Sequence, residues 1–381
     1  MPFFSANFRI PAVGLLLLLV LLSGQALAQG ESTEVLDERF PDITEPQFRL
    51  MERLSFPGEL LRSAAWQDDS HFLCLTAGPE GARVWSVDYG SGERSMFISP
   101  PFFNEHIATF PDCMNLSWSL SPSLHYMFLH WQDSAGATRW RLLDISDPPF
   151  YISKSFEPPG GMRIHDILFS ADDRFAVFSN DAWSEGSEIS LLVLDLQNGS
   201  EAWRLSTHDL SFLRRIWWAG DSGSQVCMAS AELRNGEFRE TPELAIIDVA
   251  QQQLSFDDER RGLLMADNAD WGSVACLMSP ERQDAPYYIR ADTRDFGTNL
   301  QVPLSDEPQD LICLSEPGLI LLRNTVNHSV SQLWLINLHS GDKHLVSSDC
   351  SYFEVDQQGK LLVVPRGSNE LHVMQLFLPQ H

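Results

Sequence analysis

Residues 163–205 constrain the fold most, because they contain a complete unit that recurs along the chain. The unit holds four short runs separated by turns or polar loops: residues 164–170, 175–179, 189–196 and 201–205. Short apolar runs bounded by turn residues predict four antiparallel strands. One such sheet has two faces to bury, so neighbouring copies must cover them.

The repeat is followed most easily at its third run, which ends in an apolar-Asp-apolar triplet or a close relative. The anchors are Asp88, Asp144, Asp195, Asp248, Asp292, Asn337 and, in a degenerate copy, Gln375. They are roughly 40 to 55 residues apart, the length of a four-stranded propeller blade. First runs recur too, and each leads into a turn; they are centred on Trp66, Trp118, Phe169 and Trp217. The sequence therefore predicts an all-β fold, a β-propeller, in a single domain over residues 47–381.

The string Phe169-Ser170-Ala171-Asp172-Asp173-Arg174-Phe175, followed by an apolar strand ending in Asp and an Asn-Gly turn, resembles the WD40-like blades of TolB-type exported propellers. The resemblance covers nearly all of the chain after residue 47. It implies the propeller fold, a rigid disc that presents loops to a protein partner. The Gly-His and Trp-Asp signatures of the eukaryotic WD40 blade are absent. The fifth copy lacks a clear Ser-Pro-Asp turn, and the sixth has Ser315-Glu316-Pro317-Gly318 instead.

Seven copies are counted, and the last is short of one strand. After Cys350 only three runs remain: residues 352–355, 361–364 and 372–378. We expect the alternating run at residues 47–56 to supply the missing strand and close the ring, which removes a long open edge. A different partition of the long second and third intervals would give six or eight blades.

The first 28 residues predict a secretory signal peptide. Arg9 precedes an apolar stretch at residues 13–22, and Ala26-Leu27-Ala28 is the small-x-small pattern that precedes cleavage. A membrane anchor is the alternative, but the apolar stretch is short for a span. Residues 29–46 are predicted to form a flexible leader. The prediction is a periplasmic or secreted protein with no membrane span after cleavage.

The chain is strongly acidic, with 52 Asp plus Glu against 26 Lys plus Arg. Nucleic-acid binding is disfavoured, because phosphate contacts need basic patches. The acidity favours solubility, and a docking surface for a basic partner is the alternative.

Six cysteines in an exported chain allow fifteen complete disulfide pairings. Cys74, Cys227 and Cys276 fall in predicted second strands, which indicates small buried hydrophobic residues. Cys313 and Cys350 lie in consecutive copies and form the best single candidate pair.

Eleven tryptophans suggest sugar stacking, but most recur on first and third strands, where sheets pack together. Trp131, Trp183 and Trp271 lie in or near predicted loops and are the binding candidates. The histidines show no metal-ligand spacing, and Gly220-Asp221-Ser222-Gly223-Ser224 does not match a nucleophile elbow. Asp172-Asp173 and Asp257-Asp258 are predicted turn residues, with acid-base catalysis as the alternative. No catalytic residue, metal or cofactor is predicted.

Four predicted irregular connections exceed what a blade needs: residues 97–112, 147–163, 231–243 and 279–286. In the third of them, Arg234, Phe238 and Arg239 are the predicted partner contacts, because Arg and aromatic residues anchor interfaces. The sequence thus predicts an exported, non-catalytic scaffold that binds an envelope or secreted protein. The alternative is a carbohydrate-binding, hydrolase or lyase propeller that uses the central mouth.

Overall fold

The computed structural model describes residues 44–379 except for 147–150, 153–163, 171, 181–188, 199, 208–212, 219–224, 235–236, 241–243, 250, 258–263, 269–271, 279–286, 294–299 and 327–329. The predicted signal peptide and most of the predicted leader lie outside the described residues. The described chain is all-β, with one short α-helix, α1 (Pro100–His106), and one 3-10 helix (Asp112–Asn115).

The strands form seven antiparallel sheets that follow one another along the chain. A single strand, β1 (Gln47–Ser55), precedes them. The first three sheets are β2 (Leu60–Trp66), β3 (His71–Gly78), β4 (Gly81–Asp88) and β5 (Arg94–Ile98); β6 (Ser117–Leu120), β7 (Tyr126–Gln132), β8 (Thr138–Asp144) and β9 (Tyr151–Ile152); and β10 (Ile164–Phe169), β11 (Phe175–Asn180), β12 (Ile189–Asp195) and β13 (Ser200–Thr207).

The fourth sheet has an extra strand that pairs only with β15. Its strands are β14 (Leu213–Trp218), β15 (Gln225–Arg234), β16 (Glu237–Glu240), β17 (Leu244–Asp248) and β18 (Gln253–Asp257). The fifth and sixth sheets are β19 (Leu264–Asn268), β20 (Gly272–Met278), β21 (Tyr287–Thr293) and β22 (Leu300–Leu304); and β23 (Glu307–Cys313), β24 (Leu319–Val326), β25 (Val330–Asn337) and β26 (Lys343–Ser347).

The seventh sheet joins the two ends of the described chain. It contains β27 (Cys350–Val355), β28 (Lys360–Pro365) and β29 (Glu370–Phe377). Its fourth strand is β1, which runs antiparallel to β29 from Gln47 opposite Phe377 to Ser55 opposite Glu370. The expected pairing of residues 47–56 with the last repeat is therefore present.

The quoted motif forms the turn between β10 and β11. Ser170 Oγ donates to Asp172 Oδ1 at 2.6 Å and accepts the N–H of Phe175 at 2.8 Å, while Asp172 Oδ1 accepts the N–H of Arg174 at 3.1 Å. Asp173 adopts a left-handed φ of 54°. The short polar side chains thus satisfy the turn backbone, as such residues do in Asx turns.

The recurrent Asp at the end of the third strand has the same role at the next turn. Asp88 Oδ1 accepts the N–H of Ser91 at 2.6 Å, and Asp248 Oδ1 accepts that of Gln251 at 2.7 Å. The repeat anchor in the sequence is therefore a turn cap.

The core lies between the sheets. On β3, Leu73 and Leu75 pack in a cluster shared with the second sheet, whereas Phe72 and Cys74 pack in a cluster shared with the seventh. Because successive side chains of a strand point to opposite faces, a strand covered on both sides reads as a continuous apolar run. This explains the apolar second strands of the sequence.

The first and seventh sheets meet in a hydrophobic interface, which we call the first–last junction. Its buried residues are Leu54, Phe56, Leu61, Ala64, Phe72, Cys74, Val87, Leu362, Val364, Leu371 and Val373. Residues from both ends of the chain thus form one cluster, so the last sheet packs on the first.

Candidate partner-binding site

Two elaborated connections lie at one end of the sheets. In an antiparallel four-stranded sheet, the turn from second to third strand lies at the same end as the connection to the next sheet; we call this the connection end. At that end α1 follows β5, and the hairpin of β15 and β16 extends the second strand of the fourth sheet. The opposite end carries the short capped turns and is called the turn end.

The helix α1 begins where the sequence places two prolines. Ser99 has extended backbone angles, and Pro100 and Pro101 occupy the first helical positions. Proline is favoured there because its missing N–H would have no partner in the helix and its φ is already helical. Phe103 is fully buried in the cluster between the first and second sheets. Phe102 and Ile107 pack partly against the same cluster, so several apolar side chains hold this helix over the core.

The helix also contacts the turn between β3 and β4. Asn104 Nδ2 donates to the carbonyl of Glu80 at 3.0 Å. Gly81 has a φ of 125°, and a Cβ there would lie 2.6 Å from Asn104 Oδ1. Only glycine admits both this backbone conformation and this close approach.

A polar network below α1 holds the connection end of the first sheet. The Glu59 carboxylate accepts hydrogen bonds from Thr76 Oγ1 at 2.6 Å and from Trp85 Nε1 at 3.2 Å. Arg83 Nε lies 3.0 Å from the other carboxylate oxygen, and both charged side chains are largely buried. Buried ion pairs need such additional hydrogen bonds. Sequence reasoning missed this network because Glu59 follows a Pro-Gly turn and looks like a solvated loop residue.

The outer surface of this connection presents an aromatic side chain. Phe110 is 52% exposed, the highest value among the large apolar side chains of the described residues. Earlier in the same connection, Phe102 and His106 of α1 form an edge-to-face ring pair 4.9 Å apart. An exposed ring on a rigid support is the arrangement from which interface anchors are built. The sequence singled out the connection but not this residue.

The predicted contacts of the third irregular connection lie on the hairpin. Arg234 is opposite Glu237, Phe238 is opposite Leu233, and Arg239 is opposite Glu232. The interval 231–243 is therefore not irregular throughout, as the sequence suggested, and neither is 97–112, which contains α1. The side chains of Arg234, Phe238 and Arg239 lie outside what the structure describes.

The three candidate tryptophans have different outcomes. Trp131 lies in β7 and not in a loop, is only 5% exposed, and packs in the cluster that also holds Phe103. It is therefore a core residue, because the second sheet is covered on that face. Trp183 and Trp271 lie outside the described residues.

The candidate disulfide between Cys313 and Cys350 is not formed in the structure. Cys313 Sγ donates to the carbonyl of Ala266 at 3.4 Å, and Cys350 Sγ donates to that of Tyr352 at 3.3 Å. Cys313 ends β23, whereas Cys350 begins β27, so the two residues occupy opposite ends of equivalent strands. They also pack in separate clusters, one between the fifth and sixth sheets and one between the sixth and seventh.

Within the described part of the chain, no three His, Cys, Asp or Glu side chains gather as metal ligands. The described residues also contain no helix with the length and hydrophobicity of a membrane span.

Comparison with known proteins identifies the fold. No protein-family model matches the sequence, and no curated protein resembles it closely enough to count as a relative. Solved structures do match. The β-propeller domain of the Trilobed protease from Pyrococcus furiosus, described as having an open velcro topology, has a TM-score of 0.55 at 8% identity, over 86% of this chain and 97% of its own. The fold is a β-propeller.

Two further structures match this propeller along most of its length. The WD40 β-propeller domain of Doa1 has a TM-score of 0.53 at 12% identity, over 86% of this chain and 97% of its own. An oligogalacturonate lyase in complex with manganese has a TM-score of 0.58 at 13% identity, over 92% of this chain and 96% of its own. At these identities the likeness shows the fold alone, and the WD40-like resemblance of the sequence is confirmed at that level.

Proposed function

We propose that this chain is an exported, non-catalytic β-propeller that serves as a protein-interaction scaffold in the cell envelope. Its partner binds at the connection end, above the first and second sheets. The observation that carries the proposal is the exposed Phe110 in the connection that contains α1, a helix fixed by Phe103 and Asn104. A preordered apolar anchor loses little conformational entropy when a partner covers it.

The same proposal includes a ring of seven blades that β1 closes. Three observations support it: seven successive sheets, the pairing of β1 with β29, and the contact of β2 with β27 and β28 in the first–last junction. A closed ring gives the connection end a fixed geometry, because each blade is held between two others. Export rests on the signal pattern of residues 1–28.

The competing function is a sugar-binding or lyase propeller that uses the central mouth. The match to an oligogalacturonate lyase favours testing it. A perturbed carboxyl would support such chemistry. Glu354 is such a group, since burial raises its pKa to about 7, but its two oxygens already accept hydrogen bonds from Trp66 and Tyr352. This side chain therefore favours a structural role over a catalytic one.

The test is an affinity capture from the native envelope fraction with three versions of the C-terminally tagged chain: unchanged, Phe110→Ser and Leu345→Ser. Leu345 is a matched control, because it is 48% exposed but lies on β26 of the sixth sheet. We expect a stoichiometric protein that the unchanged chain and Leu345→Ser retain and that Phe110→Ser loses at least tenfold. Equal capture by all three chains would refute binding at this site. Saturable binding or cleavage of an acidic glycan, without a protein partner, would favour the competing function.

A further inference from the structure

The first–last junction contains a carboxyl group between two strands of different sheets. Glu354 belongs to β27, and its Oε1 accepts the backbone N–H of Trp66 on β2 at 3.0 Å. Its Oε2 accepts the hydroxyl of Tyr352 at 3.1 Å. The side chain therefore joins β2 and β27, which are the first strands of the first and last sheets, at the junction that holds the two ends of the described chain together.

The charged groups on the neighbouring strands have other partners. Lys360 of β28 donates to the carbonyl of Asp69, and its Nζ lies 5.5 Å from the ring centres of both Trp66 and Tyr89. Arg62 of β2 donates its Nε to the carbonyl of Leu116 at 3.2 Å. On the other side of β27, β25 has no ionisable residue. Arg323 of β24 donates to the carbonyl of Ser351 at 2.6 Å and forms an ion pair with Asp310 of β23. Within the described residues, no cation shifts the pKa of Glu354, which responds to burial and to its hydrogen bonds with Trp66 and Tyr352.

At the outer edge of the junction, an arginine and not a carboxyl group joins the first and last sheets. Arg94 of β5 donates to the carbonyl of Ser55 at 2.7 Å, and its guanidinium lies 4.4 Å from the centre of the Phe56 ring. Glu52 of β1 has its pKa raised by burial, and Arg94 lowers it in part. Arg94 keeps its charge throughout the physiological range, so its contacts with Ser55 and Phe56 do not depend on pH there.

An ionised Glu354 is poorly accommodated between the closed strands. Burial disfavours the carboxylate more than the two hydrogen bonds favour it. Glu354 is half-buried, and separation of β2 from β27 would expose it further and solvate the charge. Ionisation therefore favours the open arrangement.

We propose that the first–last junction is a proton-controlled latch, which holds while Glu354 is protonated and opens more readily once this carboxyl has lost its proton. The direction follows from linkage. The pKa is about 7 in the closed junction and near its ordinary value of 4.5 once the strands part. The contribution of Glu354 to the stability of the closed junction is complete below pH 4.5 and is lost as the pH rises through 7. Between pH 5.5 and pH 8, these values raise the opening equilibrium roughly thirtyfold.

Hydrogen–deuterium exchange of the full chain tests the latch. Peptides from β2 and β27 are compared at pH 5.5 and pH 8, after correction for the intrinsic exchange rate, with β24 as an internal reference. We expect protection of β2 and β27 to fall roughly thirtyfold relative to β24 in the unchanged protein. Glu354→Gln, which keeps an acceptor and cannot ionise, should abolish this dependence. Glu316→Gln, on an exposed turn, should leave it unchanged.

Two outcomes would overturn the proposal: no pH dependence at the junction of the unchanged protein, or the same dependence in Glu354→Gln. Tyr352→Phe provides a second test should Glu354→Gln fail to fold. It removes a donor that lowers the pKa of Glu354, so the loss of protection should move to higher pH. An unmoved midpoint in Tyr352→Phe would contradict the assignment to Glu354.

Discussion

Substitution of Asp173 separates two opposing effects at one turn. The residue has a left-handed φ of 54° and is only 8% exposed. Its carboxylate accepts hydrogen bonds from two hydroxyls of the preceding sheet, that of Ser121 at 2.7 Å and that of Ser123. Glycine would remove the backbone strain but also the hydrogen bonds that join the second and third sheets.

The magnitudes favour the hydrogen bonds. A hydrogen bond to a charged group contributes about 1.5 to 3 kcal/mol, and Ser121 is buried, so the loss there lies at the upper end. Relief of the left-handed conformation returns about 1 kcal/mol. We expect Asp173→Gly to lower the free energy of unfolding by about 2 kcal/mol. Asp173→Asn, which keeps an acceptor, should lower it by about 1 kcal/mol. Asp173→Ala, which keeps no acceptor and relieves no backbone strain, should lower it by about 3 to 4 kcal/mol.

Gln252→Gly is the matched control for the backbone effect. Gln252 is exposed and has a φ of 57°, so the same substitution there relieves strain and should stabilise the protein by about 0.5 to 1 kcal/mol. Urea unfolding at pH 7, followed by tryptophan fluorescence, measures all four variants against the unchanged protein. If Asp173→Gly is at least as stable as the unchanged protein, the hydrogen bonds between the sheets contribute no more than the relief of backbone strain and the reasoning fails.

Two further predictions concern the core. Phe56 is 2% exposed in the first–last junction, so Phe56→Ala should lower the free energy of unfolding by about 3 to 5 kcal/mol. Met96 is 47% exposed, and the control Met96→Ala should lower it by less than about 0.5 kcal/mol. Urea midpoints of the two variants that agree within error would contradict a buried junction. Burial lowers the pKa of His130 below its usual 6.5, so its contribution to stability is complete above pH 6.5 and is lost as the pH falls through the folded-state pKa. His130→Gln should therefore reduce the difference between urea midpoints at pH 7 and pH 5, and an unchanged difference would exclude this histidine as a cause.

The repeat was predictable because its signals are local. An Asp that caps a turn acts on N–H groups two or three residues away, as Asp88 and Asp248 do, so its spacing is visible in the sequence. Apolar second strands are visible for a similar reason, since burial on both faces removes the alternation of polar residues. The position of β1 followed from counting strands in the last repeat. The count of seven blades and the closure of the ring remain part of the proposed function.

The candidate site was less predictable because its parts are set by tertiary contacts. The stretch that contains α1 opens with two prolines and has no helical periodicity, so the sequence predicts an irregular loop there. Trp131 resembles a loop aromatic until the neighbouring sheet covers it. Glu354 lies in an alternating strand, where a charged residue usually faces water, and only the packing of β2 against β27 makes it a junction residue.

The packing also limits where a partner can bind. The core clusters of the described residues each lie between two neighbouring sheets, which leaves the outer strands and the two ends of these sheets accessible. At the turn end, side chains such as Asp195 bind their own turn backbone, so these turns are short and already satisfied. At the connection end, one link holds α1 and another is extended by the hairpin that β16 forms with the end of β15, and neither α1 nor β16 is needed to form a four-stranded sheet. Because these additions leave the strand pairing intact, the connection end is where recognition can change at little cost to the fold.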